Sequence, residues 1–280
     1  MNAPVSRTDL VQADLVRAYL ARLSQDVDSD TRLWLAPTQE VVGRFMRCQL
    51  ASVFQPIVDL ETQERIAREA FVRSYQQAET GLSPWSLFAL AANDEDLVAL
   101  DRLCRAVHAL NHFAGPHAEE PLFVNVHGRL LAAVTVDHGR AFRHVLDVLD
   151  ISPRKVVIET PETSTDDLAL LGFVLANYRL NGFRVSVTLT HSEQVEALLA
   201  RVRPDYIKLD VRRIRDIETA ARVVQQAEQQ GTRVILQRLE TQANFDLAHA
   251  AGVRLVQGNW VGRASGPAGI ADRAEFSLAV

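Results

Sequence analysis

The chain has 280 residues, 48% of them hydrophobic and 23% charged, a composition that suits a globular protein of one large domain or two small ones. A formal net charge of −5 gives no basic footprint of the kind nucleic-acid binders carry, and no run approaches the ~18 apolar residues of a membrane span. Cys48 and Cys104 stand far apart with neither CxxC nor zinc-ligand spacing, and the first twenty residues lack a basic-then-apolar leader, so a reducing cytoplasmic setting is expected.

The first element is an amphipathic helix: Leu10, Ala13, Val16, Leu20 and Leu23 recur at helical spacing, with Thr8 or Asp9 as its cap. After the acidic stretch 24–30, Val41, Val42, Phe45 and Met46 repeat the helical pattern. Residues 1–48 are therefore expected to form a helical extension packed on a main domain over 49–280, because an isolated helix this short is marginal in water. From residue 50 onward, short apolar runs alternate with amphipathic stretches, the pattern of βα units. The expected strands are 51–58, 66–73, 122–126, 155–159, 184–188, 206–210, 233–237 and 254–257. The expected helices are 94–112, 138–149, 165–179, 192–201, 218–230 and 241–251, with Thr165 and Ser192 among their caps. Eight strands in about 210 residues predict a closed (β/α)₈, TIM-like barrel. The link DLETQERI is too short for a helical crossover, so the first strand is expected to run antiparallel to the second.

Chemistry in such barrels sits at the carboxyl ends of the strands. The polar residues there are Glu69 and Arg73 in REAFVR, Asn125 and His127 in FVNVH, and Glu159 and Glu162 in VVIETPE. Lys208 and Asp210 in YIKLD, Glu240 in LQRLE and Gln257 in VQGNW complete the set. Singly, each reads as a solvated or salt-bridged strand end; together, six strand ends would converge on one mouth.

FQPIVDL at 54–60, REAFVR at 68–73, VNVH at 124–127, VVIETPE at 156–162, DYIKLD at 205–210, VILQRLET at 234–241 and QGNWVGR at 257–263 follow one another in an order that resembles the EAL domains, phosphodiesterases and receptors for cyclic di-GMP. The resemblance covers about residues 50–265. It implies a cytoplasmic signal-transduction protein and, in active members, a two-metal site in which Mg²⁺ or Mn²⁺ activates a water that opens the dinucleotide to linear pGpG. On that resemblance Glu69, Asn125 and Glu159 match metal ligands, Lys208 the lysine beside the attacking water, and Glu240 the second glutamate of an EGVE segment. Gln55, Arg73 and Gln257 match ligand-contacting positions, Arg73 suiting phosphate by charge and fork geometry. Phe71 and Trp260 could offer stacking surface, or simply pack.

The departures bear on activity. Where the family reads LDDFGTG, this chain reads VTLTHS, so Thr188 and Leu189 stand in place of both aspartates; Gln237 and Arg238 replace the glutamate and glycine that open EGVE. Two dications about 4 Å apart repel by roughly 17 kcal/mol at an effective dielectric near 20, and bridging carboxylates offset that repulsion. With those carboxylates missing, the expectation is no required cofactor, Mg²⁺ or Mn²⁺ held weakly at most by a vestigial Glu69, Asn125 and Glu159 set, and a degenerate phosphodiesterase. The leading function is a catalytically inactive receptor binding cyclic di-GMP at the mouth through Gln55, Glu69, Arg73, Asn125, Glu159, Lys208, Glu240 and Gln257. The alternatives are a regulator that binds no nucleotide and docks a protein partner through 1–48 or the barrel surface, and a weak residual phosphodiesterase supported by the retained Glu69, Asn125, Glu159 and Lys208; Glu69, Lys208 and Glu240 are retained catalytic positions of the family with none expected to be active. A homodimer is open; no membrane or nucleic-acid partner is expected. A transition-metal site of His127, His191 and Glu159 lacks any fixed spacing and is outweighed by ordinary hydrogen-bonding histidines.

Overall fold

Each of the eight expected apolar runs forms a strand of one sheet that closes on itself. The computed structural model describes residues 14–21, 32–76, 79–133, 139–162 and 167–267. The strands are β1 (Arg32–Leu35), β2 (Val41–Phe45), β3 (Cys48–Asp59), β4 (Arg65–Gln76), β5 (Glu79–Thr80), β6 (Leu122–Asn125), β7 (Val156–Thr160), β8 (Arg184–Leu189), β9 (Tyr206–Asp210), β10 (Arg233–Gln237) and β11 (Leu255–Gln257). The barrel runs β3-β11-β10-β9-β8-β7-β6-β4 and closes through β3–β4. β3 is antiparallel to both neighbours, and every other barrel pair is parallel. The reversal follows from the tight link after Asp59, whose carboxylate accepts from the Glu61 and Thr62 amides and so makes an Asx-type turn.

The helices are α1 (Pro84–Phe88), α2 (Asp94–Phe113), α3 (Gly128–Ala133), α4 (Arg140–Val148), α5 (Leu168–Leu180), α6 (Gln194–Leu199), α7 (Ile217–Gln229) and α8 (Gln242–Ala250). Side chains cap the longer ones: Asn93 accepts from the Asp96 amide, Asp167 from Ala169 and Leu170, Asp216 from Thr219 and Thr241 from Asn244, satisfying donors the first turn leaves open. Thr165, expected as a cap, lies outside the described residues. At α6 the N-cap residue is Glu193 in place of Ser192, without a side-chain cap bond, and the Gln194 side chain accepts from the Thr190 and His191 amides just ahead of the helix.

The helical reading of 1–48 is corrected over its second half. Residues 14–21 are helical, with Val16 and Leu20 buried, whereas 41–45 is strand β2, paired to β1 on one side and β3 on the other. Val41 and Val42 are β-branched, and Met46, with φ of 51°, turns the chain in a two-residue loop that brings Phe45 opposite Cys48. Asn111 of α2 fixes the strand: its Oδ1 accepts from the Val41 amide and its Nδ2 donates to the Val41 carbonyl, both at 2.7 Å.

Candidate functional site

Strand alternation sorts the barrel interior into layers. At the amino end, Ile57, Ala67, Phe123, Val157, Tyr206, Ile235 and Leu255 form one buried apolar cluster, each from a different strand. Two residues nearer the mouth on those strands stand Gln55, Glu69, Asn125, Glu159, Lys208, Gln237 and Gln257, all polar; Thr188 of β8 completes the ring, placed by its register with Lys208. Below it on β8, Ser186 sits level with Tyr206 in place of an apolar plug residue.

The ring is stitched around one ammonium group. Lys208 is fully buried, and its Nζ lies 2.5 Å from Glu69 Oε2 and 2.6 Å from Glu159 Oε2. Glu69 also accepts from Asn125 Nδ2 and Gln257 Nε2, both at 2.7 Å. Glu159 Oε1 accepts from Thr188 Oγ1 at 2.9 Å. Gln257 Nε2 reaches Gln55 Oε1 at 3.3 Å, and Gln55 Nε2 donates to the Gly262 carbonyl at 3.2 Å. Lys208 Nζ further stands 5.0 Å from the centre of the Phe123 ring in the plug, a cation–π contact.

Two carboxylates and one ammonium leave an excess negative charge in a buried layer. Burial and the neighbouring Glu69 carboxylate together push the Glu159 carboxyl up to about 7, against the opposing pull of Lys208 and Thr188. Burial works against the Lys208 ammonium, but Glu159 and Glu69 outweigh it and hold its pKa above the ordinary lysine value. Protonation of Glu159 therefore neutralises the layer while Lys208 stays charged.

Six of the sequence-nominated residues, Gln55, Glu69, Asn125, Glu159, Lys208 and Gln257, meet in this network. Arg73 and Glu240 do not join it. Arg73 is exposed at the rim on the same face of β4 as Glu69, two alternations nearer the mouth, and among the described residues its Nη1 reaches the Val72 carbonyl at 3.4 Å. Glu240 is exposed, its backbone amide donating to Asn244. Glu162 accepts from Thr190 Oγ1 at 3.2 Å. Phe71 is half-buried on the same face of β4, and Trp260 is 40% exposed.

Leu189, placed at the mouth by its sequence position, has the opposite parity to Thr188. It points out of the barrel into the core beneath the helices and is fully buried there, so β8 gives this layer a hydroxyl and no carboxylate. The histidines are placed as ordinary ones: the His127 ring stacks on Phe88 with centroids 4.7 Å apart, and His191 is exposed ahead of α6. Among the described residues, no group of three or more His, Cys, Asp or Glu side chains is arranged to hold a metal ion.

Arg238, noted in the sequence only as a replacement, has φ of 64°, the left-handed region that favours glycine. Its Nε lies 3.6 Å from Asp210 Oδ2. Arg212 grips the same carboxylate through Nε at 3.0 Å to Oδ1 and Nη2 at 2.7 Å to Oδ2. Arg212 carried no sequence signal beyond being one of several arginines after β9.

The fold and the convergent mouth define a (β/α)₈ barrel whose first strand is reversed. Within that class the chain belongs to the EAL domain family, whose model matches residues 38–264. No curated protein matches the chain by sequence. Solved structures are similar in fold. One is Klebsiella pneumoniae BlrP1 in a manganese/cyclic di-GMP complex, 25% identical with a TM-score of 0.66, over 82% of this chain and 57% of that one. Another is the Xanthomonas citri FimX EAL domain in complex with cyclic di-GMP, 19% identical with a TM-score of 0.66, over 94% and 96%. A third is the Bacillus subtilis YkuI protein, with an EAL domain, in complex with substrate cyclic di-GMP and calcium, 24% identical with a TM-score of 0.65, over 77% and 55%. The chain thus spans little more than half the length of BlrP1 and YkuI. None of its described helices is long and apolar enough to cross a membrane.

Proposed function

We propose that this EAL-family barrel binds cyclic di-GMP at its mouth and does not hydrolyse it by the two-metal route. The observation that carries the reading is β8, which gives the ring only the Thr188 hydroxyl, donating to Glu159 Oε1 at 2.9 Å, and turns Leu189 out into the core, while the two carboxylates that remain, Glu69 and Glu159, pair with Lys208 Nζ at 2.5 and 2.6 Å. The anionic groups that would hold dications already share an internal cation. A two-metal centre would need further acids to offset the repulsion between its ions, and β8 supplies Thr188 with Leu189 turned away. The donor set therefore does not fit two bridged dications.

Ligand binding asks less of the site. Gln55 and Gln257 present amides at the floor, and the exposed Arg73 offers a guanidinium suited to phosphate. Family membership and the cyclic di-GMP complexes of the structural neighbours support that choice of ligand. Calorimetry with cyclic di-GMP, in chelator and then in Mg²⁺, tests the reading. Micromolar binding that survives chelator and weakens in Arg73→Ala is expected; no heat at high protein concentration would sink it. The joint presence of Glu69, Asn125, Glu159 and Lys208 in one layer favours a weak residual phosphodiesterase as the second reading, and accumulation of pGpG would reveal it.

A further inference from the structure

Above the ring of eight polar residues, the rim of the mouth carries one position where the backbone is unfavourable for the side chain it bears. Arg238 follows β10 with φ of 64°, a conformation uncommon for a long side chain and kept only where its surroundings over-determine it. They do so here. The next residue, Leu239, is fully buried, its amide donates to the Gln257 carbonyl at 3.0 Å, and its carbonyl accepts from the Trp260 amide at 2.9 Å. Gly258 lies so close that a Cβ there would fall 2.3 Å from the Leu239 backbone. Any residue at 238 must therefore turn left-handed, and glycine would do so at least cost.

What the arginine does with that position is to cross to the neighbouring strand. Asp210, the last residue of β9 and in register with Gln237, is two residues along from Lys208 on the same face. Its carboxylate is 4% exposed and receives two guanidinium groups, Arg212 and Arg238, which are 54% and 55% exposed. Each guanidinium carries five N–H donors. Arg212 spends its Nε and one Nη2 donor on Asp210, and Arg238 comes closest to it by Nε, at 3.6 Å. Among the described residues, the remaining terminal donors of Arg238 meet no acceptor. One carboxylate thus serves two guanidiniums in direct contact beside the mouth. Glu240 adds a weaker field at Arg212 without hydrogen-bonding to either group. The pair is held on a shared anion with more than half of each side chain exposed, an arrangement suited to bidentate recognition of a phosphate.

We propose that Arg238 and Arg212, held on Asp210, form an anion subsite of the mouth that takes the oxygens of a phosphodiester group. It rests on the reading of the mouth as a cyclic di-GMP site and adds a contact on the β9–β10 side, away from Arg73 on β4.

The test sets affinity against stability in the same variant of the full chain. Arg238→Gly relaxes the left-handed turn, so its Tm should be unchanged or higher, while its affinity for cyclic di-GMP falls about tenfold or more, a loss of about 1.4 kcal/mol or more; Arg238→Lys, which keeps the charge without the fork, should fall between. Binding within twofold of the native chain in Arg238→Gly would overturn the subsite and leave the ligand reading standing. A lowered Tm accompanying weaker binding would also overturn it, by assigning Arg238 a structural role. If the native chain gives no heat with cyclic di-GMP, the ligand reading falls, and inorganic pyrophosphate probes the subsite alone. A pyrophosphate-induced rise in Tm that Arg238→Gly abolishes would uphold the anion site; no rise would overturn it.

Discussion

Two neighbouring layers of the barrel are built from the same strands by the same alternation, yet they are held together by different physics. The plug at the amino end is closed by apolar packing among Ile57, Ala67, Phe123, Val157, Tyr206, Ile235 and Leu255. The ring immediately above is closed by charge pairing, with the buried Lys208 between Glu69 and Glu159 and amide groups filling the remaining positions on Glu69. Apolar packing degrades gradually when atoms are removed. A buried charge network fails abruptly when one member is lost, because the others remain unpaired. Placing the second kind directly above the first gives the mouth a rigid floor and a polar surface that a ligand can address.

The sharpest way to break this contrast is to remove the cation. Lys208→Met should cost about 3–5 kcal/mol in urea unfolding, the usual penalty for stranding a buried charge partner. Adding Glu69→Gln and Glu159→Gln should recover much of that loss; no recovery would show that Lys208 contributes through packing instead. In the plug, Leu255→Ala should cost about 3 kcal/mol by leaving a cavity, with the pH dependence of stability unchanged. Leu189→Asp should destabilise the chain by a similar amount, because the acid would be buried outside the barrel without a partner; gain of metal binding without loss of stability would mean that this residue faces the mouth.

A smaller effect separates the layers by pH. The Glu159 carboxyl is pushed up to about 7 in the folded chain from an ordinary value of 4.5. The folded state therefore keeps a proton that the unfolded chain has released, and the stability Glu159 contributes is present below the ordinary value and lost as pH rises through about 7. The buried His108 and His112 act in the opposite sense: burial pulls them down to about 3 and about 4, so their contribution is present above about 6.5 and lost as pH falls. Urea midpoints for the native chain and Glu159→Gln should move apart in favour of the variant between about pH 5 and 8. Parallel curves would contradict the assignment of the proton. The smallest change is Thr188→Val, which removes the hydroxyl donor to Glu159 and should cost about 1 kcal/mol.

Much of this architecture is legible in the sequence, and where it is not, the reasons are physical. All eight barrel strands follow from apolar runs bounded by turn residues, and the polar floor from the residues that end them. β2 was not legible: Val41, Val42, Phe45 and Met46 satisfy a helical spacing as well as a strand's, a known ambiguity of short apolar runs. Tertiary partners decide the matter, β3 on one edge and the Asn111 side chain on the Val41 backbone. Leu189 was misplaced because its position in VTLTHS names the residue replaced but not the face it occupies; its parity with Thr188 settles the face. Arg73 and Glu240, nominated for the mouth, stand on its exposed rim, a height within the barrel that order along the chain does not give. Arg212 was missed because its role depends on a carboxylate two residues away and on Arg238 from another strand.

On the reading proposed above, the mouth holds cyclic di-GMP without cutting it because β8 gives the ring no carboxylate to bridge a metal pair. The most direct measurement is the amount of pGpG formed from cyclic di-GMP by the purified chain with Mn²⁺ or Mg²⁺ in excess. None above the uncatalysed background is expected, with the intact dinucleotide staying bound. Product that accumulates in proportion to protein and vanishes in Glu69→Ala would contradict it.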